Sequence, residues 1–228
     1  MQSGEELFLF KTIEIKKNIL EDNCNDAAQL QNELKQNGIF LLNLMSSPGS
    51  GKTTTLMKTI AKLKSTYRIG VMEADIDSDV DARTIELSGV KVIQLHTGGM
   101  CHLTADMTRQ GLEELGTEDV DVVFLENVGN LVCPAEFDTG AAKNAMILST
   151  PEGDDKPLKY PLMFSIADVV LVNKMDVAEY FGFDFAVLTE HIKRLNPNAE
   201  IIPISARTGD GIEKWTSWLD AQVKSQKI

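Results

Sequence analysis

The apolar, strand-like run Ile39–Met45 passes straight into Ser46-Ser47-Pro48-Gly49-Ser50-Gly51-Lys52-Thr53, and Leu56, Met57, Ile60 and Leu63 then recur at helical spacing. A strand, a glycine-rich turn, Lys-Thr and a helix in immediate succession form the setting in which a phosphate-binding P-loop is recognised. The glycines let backbone N–H groups close around phosphate oxygens, and the helix N-terminus adds partial positive charge. Lys52 is expected to reach the β- and γ-phosphates and the Thr53 hydroxyl to hold Mg²⁺, with Pro48, Gly49, Ser50, Gly51 and Thr54 completing the cradle. The strict pattern has Gly where this chain has Ser46, so the motif is relaxed at its first position.

Further strand-like runs follow at Arg68–Ala74, Val90–Leu95, Val120–Leu125, Ala145–Ser149, Asp168–Val172 and Glu200–Ser205. Most lead into helical spacing, such as Val187, Leu188, Ile192 and Leu195. This alternation predicts an α/β fold of the P-loop NTPase kind, with a mostly parallel central sheet and helices on both faces. Ligands of such a sheet sit outside the C-terminal strand ends, so residues just after each run are where function is sought. Ahead of the sheet, Leu7–Leu20 and Asp26–Asn37 read as two helices, the second stopping at Asn37-Gly38. The chain therefore divides into an N-terminal helical extension, residues 1–38, and a P-loop domain, residues 39–228.

Composition narrows the partners. With 228 residues, 43% of them hydrophobic, the chain can bury a core without disulfides or a structural metal. Cys24, Cys101 and Cys133 are an odd number at wide spacing, unlike a disulfide framework. A balance of 22 Lys and Arg against 34 Asp and Glu, net −12, repels phosphate backbones, so no nucleic-acid partner is expected. No apolar run approaches the roughly 18–20 residues of a membrane span. Glu5 and Glu6 precede Leu7–Phe10 with no small-residue cleavage site behind them, which is unlike a secretion signal, so the cytoplasm is the expected compartment.

The run Asp168–Val172 ends in Asn173-Lys174-Met175-Asp176. A carboxylate at Asp176 can accept from guanine N1–H and the exocyclic amine together, whereas adenine has no donor at N1 and would leave the acceptor unpaired. Ile204-Ser205-Ala206-Arg207 follows the last run and resembles the Ser-Ala loop that supports guanine in GTPases. Asn173, Lys174, Asp176, Ser205 and Ala206 thus form the expected base site. Hydrolysis also needs groups that hold Mg²⁺ and orient water. Asp75 and Glu126 end the second and fourth runs, beside the P-loop strand, and join Lys52 and Thr53 as the expected catalytic set. Gly129 is placed to let its backbone approach the γ-phosphate, while Asp77 and Asp79 read as helix caps.

Cys101-His102 follows the third run after Gly98-Gly99-Met100, and Cys133 follows the fourth. With those strands close together, two thiolates and an imidazole converge, a donor set for Zn²⁺ or Ni²⁺ and not for Mg²⁺. Three ligands leave a position open, or invite a second chain to complete the shell. The residues equally allow Cys101 and Cys133 to be small buried hydrophobes and His102 a helix cap.

Ser-Ser-Pro-Gly-Ser-Gly-Lys-Thr-Thr, His96-Thr97-Gly98-Gly99-Met100-Cys101-His102-Leu103, Glu126-Asn127-Val128-Gly129-Asn130-Leu131-Val132-Cys133-Pro134, Pro151-Glu152-Gly153-Asp154-Asp155-Lys156 and Asn-Lys-Met-Asp together closely resemble the HypB family of hydrogenase-maturation GTPases, whose nearest relative is the urease accessory GTPase UreG. The resemblance runs from about residue 36 to the end. It implies a dimerising P-loop GTPase that uses GTP, GDP and Mg²⁺ and helps deliver nickel to a [NiFe]-hydrogenase. It further implies a Ni²⁺ or Zn²⁺ site at Cys101, His102 and Cys133 near the dimer interface. Implied partners are a second copy of the chain, a nickel-delivery protein and the hydrogenase large subunit, with Lys156 a candidate contact across the dimer. The family's N-terminal Cys-x-x-Cys-Gly-Cys motif and histidine-rich tract do not occur in this sequence. Competing readings are a metal-binding or storage module with incidental nucleotide turnover, a urease-type nickel accessory GTPase, and a GTP-dependent small-molecule kinase.

Base choice gives the first prediction. Asp176→Asn should weaken GTP binding and favour xanthosine triphosphate, whose exocyclic oxygen accepts from the new amide; competition binding with the two nucleotides checks it.

Overall fold

All seven apolar runs are strands of one sheet in the computed structural model, which describes residues 15–75 and 80–226. They are β1 Phe40–Ser46, β2 Ile69–Asp75, β3 Lys91–His96, β4 Val122–Glu126, β5 Lys143–Ser149, β6 Val169–Asn173 and β7 Glu200–Pro203. Every pairing is parallel, in the order β3-β2-β4-β1-β5-β6-β7. The chain moves outward from β1 to β2 and β3, returns to insert β4, then continues on the other side through β5. The crevice of such a sheet opens at the C-terminal end of β1, where that reversal occurs. One expectation is corrected here: Glu126 ends a strand adjoining β1, but β2, which carries Asp75, is separated from β1 by β4.

Side chains alternate along a strand, and both faces of this sheet are covered. Phe40, Leu42 and Leu44 point to one face, where they pack with Leu56 and Ile60 of α2 (Lys52–Leu63), Ile85 of α3 (Val80–Glu86) and Trp215 and Leu219 of α9 (Ile212–Gln226). Leu41 points to the other face, with Leu30 and Leu34 of α1 (Ile15–Gln36) and Leu112 of α4 (Ala105–Leu115). Farther along that face, Met45 meets Ala135 of α5 (Cys133–Glu136), Phe164 of α7 (Pro161–Ile166) and Leu188 of α8 (Phe185–Leu195). A short α6 (Lys156–Lys159) precedes α7. Asn43 lies between Leu41 and Met45, fully within the sheet; its amide donates to Asn144 Oδ1 at 3.0 Å and accepts from Asn127 Nδ2 at 3.1 Å.

The N-terminal part differs from the expected pair of helices. Residues 7–14 lie outside the described residues, and from Ile15 one helix, α1, runs through the polar stretch Glu21–Asn25 that reads as a break. The reason is Asn23, which is buried: Nδ2 donates to the Asp138 carbonyl at 2.8 Å and Oδ1 accepts from the Ala105 N–H at 2.9 Å. Asn23 thus continues, in polar form, the inward stripe of Ala27, Leu30 and Leu34. Glu33 pairs with Arg109 of α4, and Gln31 Nε2 donates to the Ala141 carbonyl at 2.7 Å. Asp77 and Asp79 also fall outside the described residues.

On the opposite face α2 and α9 are pinned by the buried Trp215 indole, which donates to Thr59 Oγ1 at 2.8 Å, while that hydroxyl donates to the Thr55 carbonyl. Thr59→Val strands the indole N–H and should cost about 1–3 kcal/mol. Combined with Trp215→Phe it should cost less than the sum of the two single changes, because the phenyl has no donor to strand. Urea unfolding of the three variants checks the cycle.

Candidate functional site

β1 ends at Ser46 and α2 starts at Lys52, and the intervening loop borders a cavity of about 620 Å³. Ser46 is fully buried; its hydroxyl accepts from Lys52 Nζ at 3.0 Å and donates to the Ser47 carbonyl at 2.7 Å. A glycine has no such anchor to offer, so the relaxed first position of the motif holds the lysine in the loop. Gly51 sits at φ 96°, and a Cβ there would lie 2.4 Å from Asn173 Nδ2, so only glycine fits. The loop is also tied to the segment after β5: Glu152 accepts from the Ser47 hydroxyl and from the Ser149 N–H.

Glu73 of β2 and Glu126 of β4 are register partners. Counting by twos from Ile69 and Val71, and from Val122 and Phe124, sends both carboxylates to the α2 face, under the start of that helix. Glu126 Oε1 accepts from Thr53 Oγ1 at 2.8 Å. The second oxygen of each carboxylate is buried and has no hydrogen-bond partner among the described residues. Burial, then the charges of Glu126 and Asp75, push Glu73 up to about 8. Burial raises Glu126 to about 6 against the pull of Lys52 and Thr53. Asp75, half-buried, completes the acidic wall of the cavity. Carboxylates that line one cavity with a threonine hydroxyl fit a hard cation of the Mg²⁺ type. Glu73 was absent from the residues singled out in the sequence. Its signal was an acidic residue two positions before Asp75, on the same side of an otherwise apolar strand.

At the C-terminal ends of β6 and β7 the structure divides the labour. Asn173, buried, donates to the Ser50 carbonyl at 2.8 Å and accepts from the Ala206 N–H at 3.0 Å, so it joins three loops. Lys174 adopts φ 62° and its Nζ donates to the Gly49 carbonyl at 2.7 Å. Ser205 Oγ donates to Asp176 Oδ1 at 2.6 Å and Arg207 approaches Oδ2 at 3.1 Å. The Ser205 hydrogen bond, and after it the Arg207 charge, hold the Asp176 carboxyl below the usual range. A second pocket of about 240 Å³, adjoining Thr54 and Lys174, opens at this carboxylate.

Cys101, His102 and Cys133 are half-buried, and their ligand atoms all lie within 4.8 Å of one another. They meet although β2 stands between β3 and β4, because the segments leaving those strands converge beyond its end. Thr104, not His102, caps α4, accepting from the Met107 N–H at 3.2 Å. The His102 ring stacks on Phe137 at 3.8 Å, a neighbour the sequence did not disclose. Burial lowers the His102 pKa, which favours the neutral imidazole that can ligate a metal. The Cys133 thiol is raised by its hydrogen bond to Cys101 and by burial. Two sulfurs and an imidazole nitrogen suit Ni²⁺ or Zn²⁺.

One segment links both places. From Glu126 the chain passes through Asn127, anchored on Asn43, to Gly129, where a Cβ would come within 3.2 Å of the Pro48 ring, and on to Cys133. A Cβ at Gly129 would therefore require the Pro48 ring to give by a few tenths of an ångström, so glycine favours this close approach to the phosphate loop.

The model of the CobW/HypB/UreG nucleotide-binding domain matches residues 40–203, from the first residue of β1 to the last of β7. The chain belongs to the CobW/HypB/UreG family. The hydrogenase maturation factor HypB of Rhizobium leguminosarum bv. viciae is 42% identical over 218 residues, which cover 96% of this chain and 73% of that protein. The structure of HypB from Helicobacter pylori in complex with nickel superposes with a TM-score of 0.84 at 38% identity, over 90% of this chain and 97% of that one. The hydrogenase maturation factor HypB of Archaeoglobus fulgidus gives 0.83 at 34% identity, over 89% and 99%. Helices α1 and α9 lie outside the CobW/HypB/UreG match, although both pack into the sheet's cores.

The buried acids of this CobW/HypB/UreG domain carry a stability signature. Glu73 has a folded pKa of about 8 against an ordinary 4.5, so the folded chain holds an extra proton between those values. Stability of the nucleotide-free, Mg²⁺-free protein should therefore fall as pH rises through that window. Glu73→Gln should flatten the slope and raise the melting temperature at pH 8, as read by thermal melts across the pH range.

Proposed function

We propose that this chain is a GTP-hydrolysing maturation factor that assists nickel insertion into a [NiFe]-hydrogenase, with nucleotide state coupled to metal binding. The observation that carries the reading is the continuous segment Glu126–Cys133, which runs from the acidic wall of the nucleotide cavity past Pro48 to the thiol–imidazole cluster. Family membership and the nickel complex of the Helicobacter pylori relative support the choice of metal.

In this reading Asp176, pre-oriented by Ser205, accepts from guanine, while Asn173 and Lys174 keep the base loop locked to the phosphate loop. Lys52, now bonded to Ser46, would hold the phosphate oxygens, and Thr53, now bonded to Glu126, would hold the cation. Bound Mg²⁺ supplies the charge neutralisation that the β,γ-phosphates require. Asp75 and Glu126 would then help hold the cation and orient the attacking water. Loss of the γ-phosphate moves Gly129, and the displacement passes along Asn130–Val132 to Cys133. A second copy of the chain completes the metal shell in a symmetric dimer. Lys156 donates to its own Glu152 carbonyl at 2.6 Å, so a contact by it across the dimer would require that bond to open. A nickel-delivery protein and the hydrogenase large subunit are the proposed partners and the cytoplasm the proposed compartment; no described helix is long and apolar enough to cross a membrane.

Two measurements test this. Lys52→Ala should reduce steady GTP hydrolysis by a factor on the order of 10²–10³; unchanged phosphate release would remove the P-loop from the chemistry. Calorimetric titration of Ni²⁺ and Zn²⁺ into the GDP form and the GTP-analogue form should give different affinities, and by linkage the metal must alter the GTP-to-GDP affinity ratio by the same factor. Equal affinities would defeat the coupling. Undiminished binding by Cys133→Ala would defeat the site.

A further inference from the structure

The two segments that bear the metal-ligating side chains are each held mainly by bonds of their own. In the first, Thr97 Oγ1 donates to the Met100 carbonyl at 2.6 Å, and Thr104 caps the helix that follows. In the second, the Val132 N–H donates to Asn130 Oδ1 at 2.7 Å and the Gly140 N–H to Asp138 Oδ1 at 2.8 Å. Asn23 of α1 bonds to both. Its Oδ1 accepts from the Ala105 N–H, three residues after His102, and its Nδ2 donates to the carbonyl of Asp138, next to Phe137. Phe137 and His102 are the two stacked rings, so the Asn23 amide spans the backbone on either side of that stack. Between these anchors Leu103 is fully buried with Leu30 and Leu34 of the same helix.

We infer that Asn23 is a positioning residue for the Cys101–His102–Cys133 metal site, and that α1 acts through it as a clasp fixing the separation of the two ligand-bearing segments. An amide suits this task because one side chain must accept a backbone N–H and donate to a backbone carbonyl at once. An apolar residue at position 23 would continue the stripe of Ala27, Leu30 and Leu34 and leave both backbone groups without this partner. Outer groups that orient metal ligands typically change metal affinity about 10–100-fold when removed. The inference rests on the metal-site reading above and adds a residue well separated from the ligands in sequence.

The test is competition of Ni²⁺ and Zn²⁺ against a chromophoric chelator in the full chain, with Co²⁺ ligand-field spectra, for wild type, Asn23→Ala, Asn23→Asp and Glu33→Gln. Asn23→Ala should weaken metal binding about 10–100-fold and alter the Co²⁺ bands, while GDP affinity stays within about twofold. Asn23→Asp keeps the acceptor for Ala105 and gives up the bond to Asp138, so its metal affinity should fall between those of wild type and Asn23→Ala. Glu33→Gln weakens the ion pair of α1 with Arg109 without touching either segment, and should bind metal as wild type does. Wild-type metal affinity and Co²⁺ spectrum in Asn23→Ala would overturn the inference, as would an equal loss in Glu33→Gln. Should Asn23→Ala not fold, wild-type metal affinity in Asn23→Asp would overturn it. A Cys133→Ala control that binds metal undiminished would overturn the site itself, an outcome separate from failure of the clasp.

Discussion

The buried backbone of β1 is the constraint on which the rest of the molecule depends. All seven of its residues are buried, it is hydrogen-bonded on both edges, and helices cover both faces. A strand so enclosed cannot shift, so the loop that leaves it has a fixed origin against which other groups are placed. Gly51 lets Asn173 approach that loop, Gly129 lets the β4 exit segment approach it, and Glu152 holds it from the β5 side. Parallel pairing puts every strand's C-terminal end on the same edge, so residues far apart in sequence share one crevice. The chemistry is concentrated there because the topology leaves it nowhere else.

Charge follows from the same enclosure. Glu73 and Glu126 are forced beneath α2 by strand alternation, with Lys52 the cation of the phosphate loop beside them. Such an arrangement is poorly balanced, because two neighbouring carboxylates each keep a buried oxygen with no hydrogen-bond partner among the described residues. Binding sites are where such imbalance is found, since a folded core would otherwise exclude it. In the proposed reading, a cation together with its phosphates would relieve that imbalance.

Much of this was legible in the sequence, for identifiable reasons. The seven strands announced themselves because buried parallel strands are short apolar runs with polar residues at their ends. The phosphate and base motifs are contiguous, so their residues needed no fold to be associated. What escaped notice depended on side-chain direction or on partners distant in sequence. Glu73 required knowing that β2 and β4 pair in register; Phe137 required knowing which ring lies over His102; and the loop-joining hydrogen bonds of Asn173, which also lines the pocket at Asp176, required knowing which loops meet there. The N-terminal region misled most. Glu21–Asn25 looks like a helix break in hydropathy alone, and only the backbone groups of Asp138 and Ala105 explain why an asparagine continues the buried stripe.

The amide ladder of Asn127, Asn43 and Asn144 has a consequence for how the chain reaches its native topology. β1 and β2 are neighbours in sequence, yet β4 must be inserted between them. A misassembled sheet in which β2 docked directly on β1 would still offer aliphatic side chains such as Ile69, Val71 and Met72. It would, however, bury Asn43 with its Asn127 partner missing, at about 1–3 kcal/mol for a stranded polar group. Asn43 within β1 and Asn127 just past β4 thus favour the native strand order, the one in which the buried Asn43 Oδ1 has its donor.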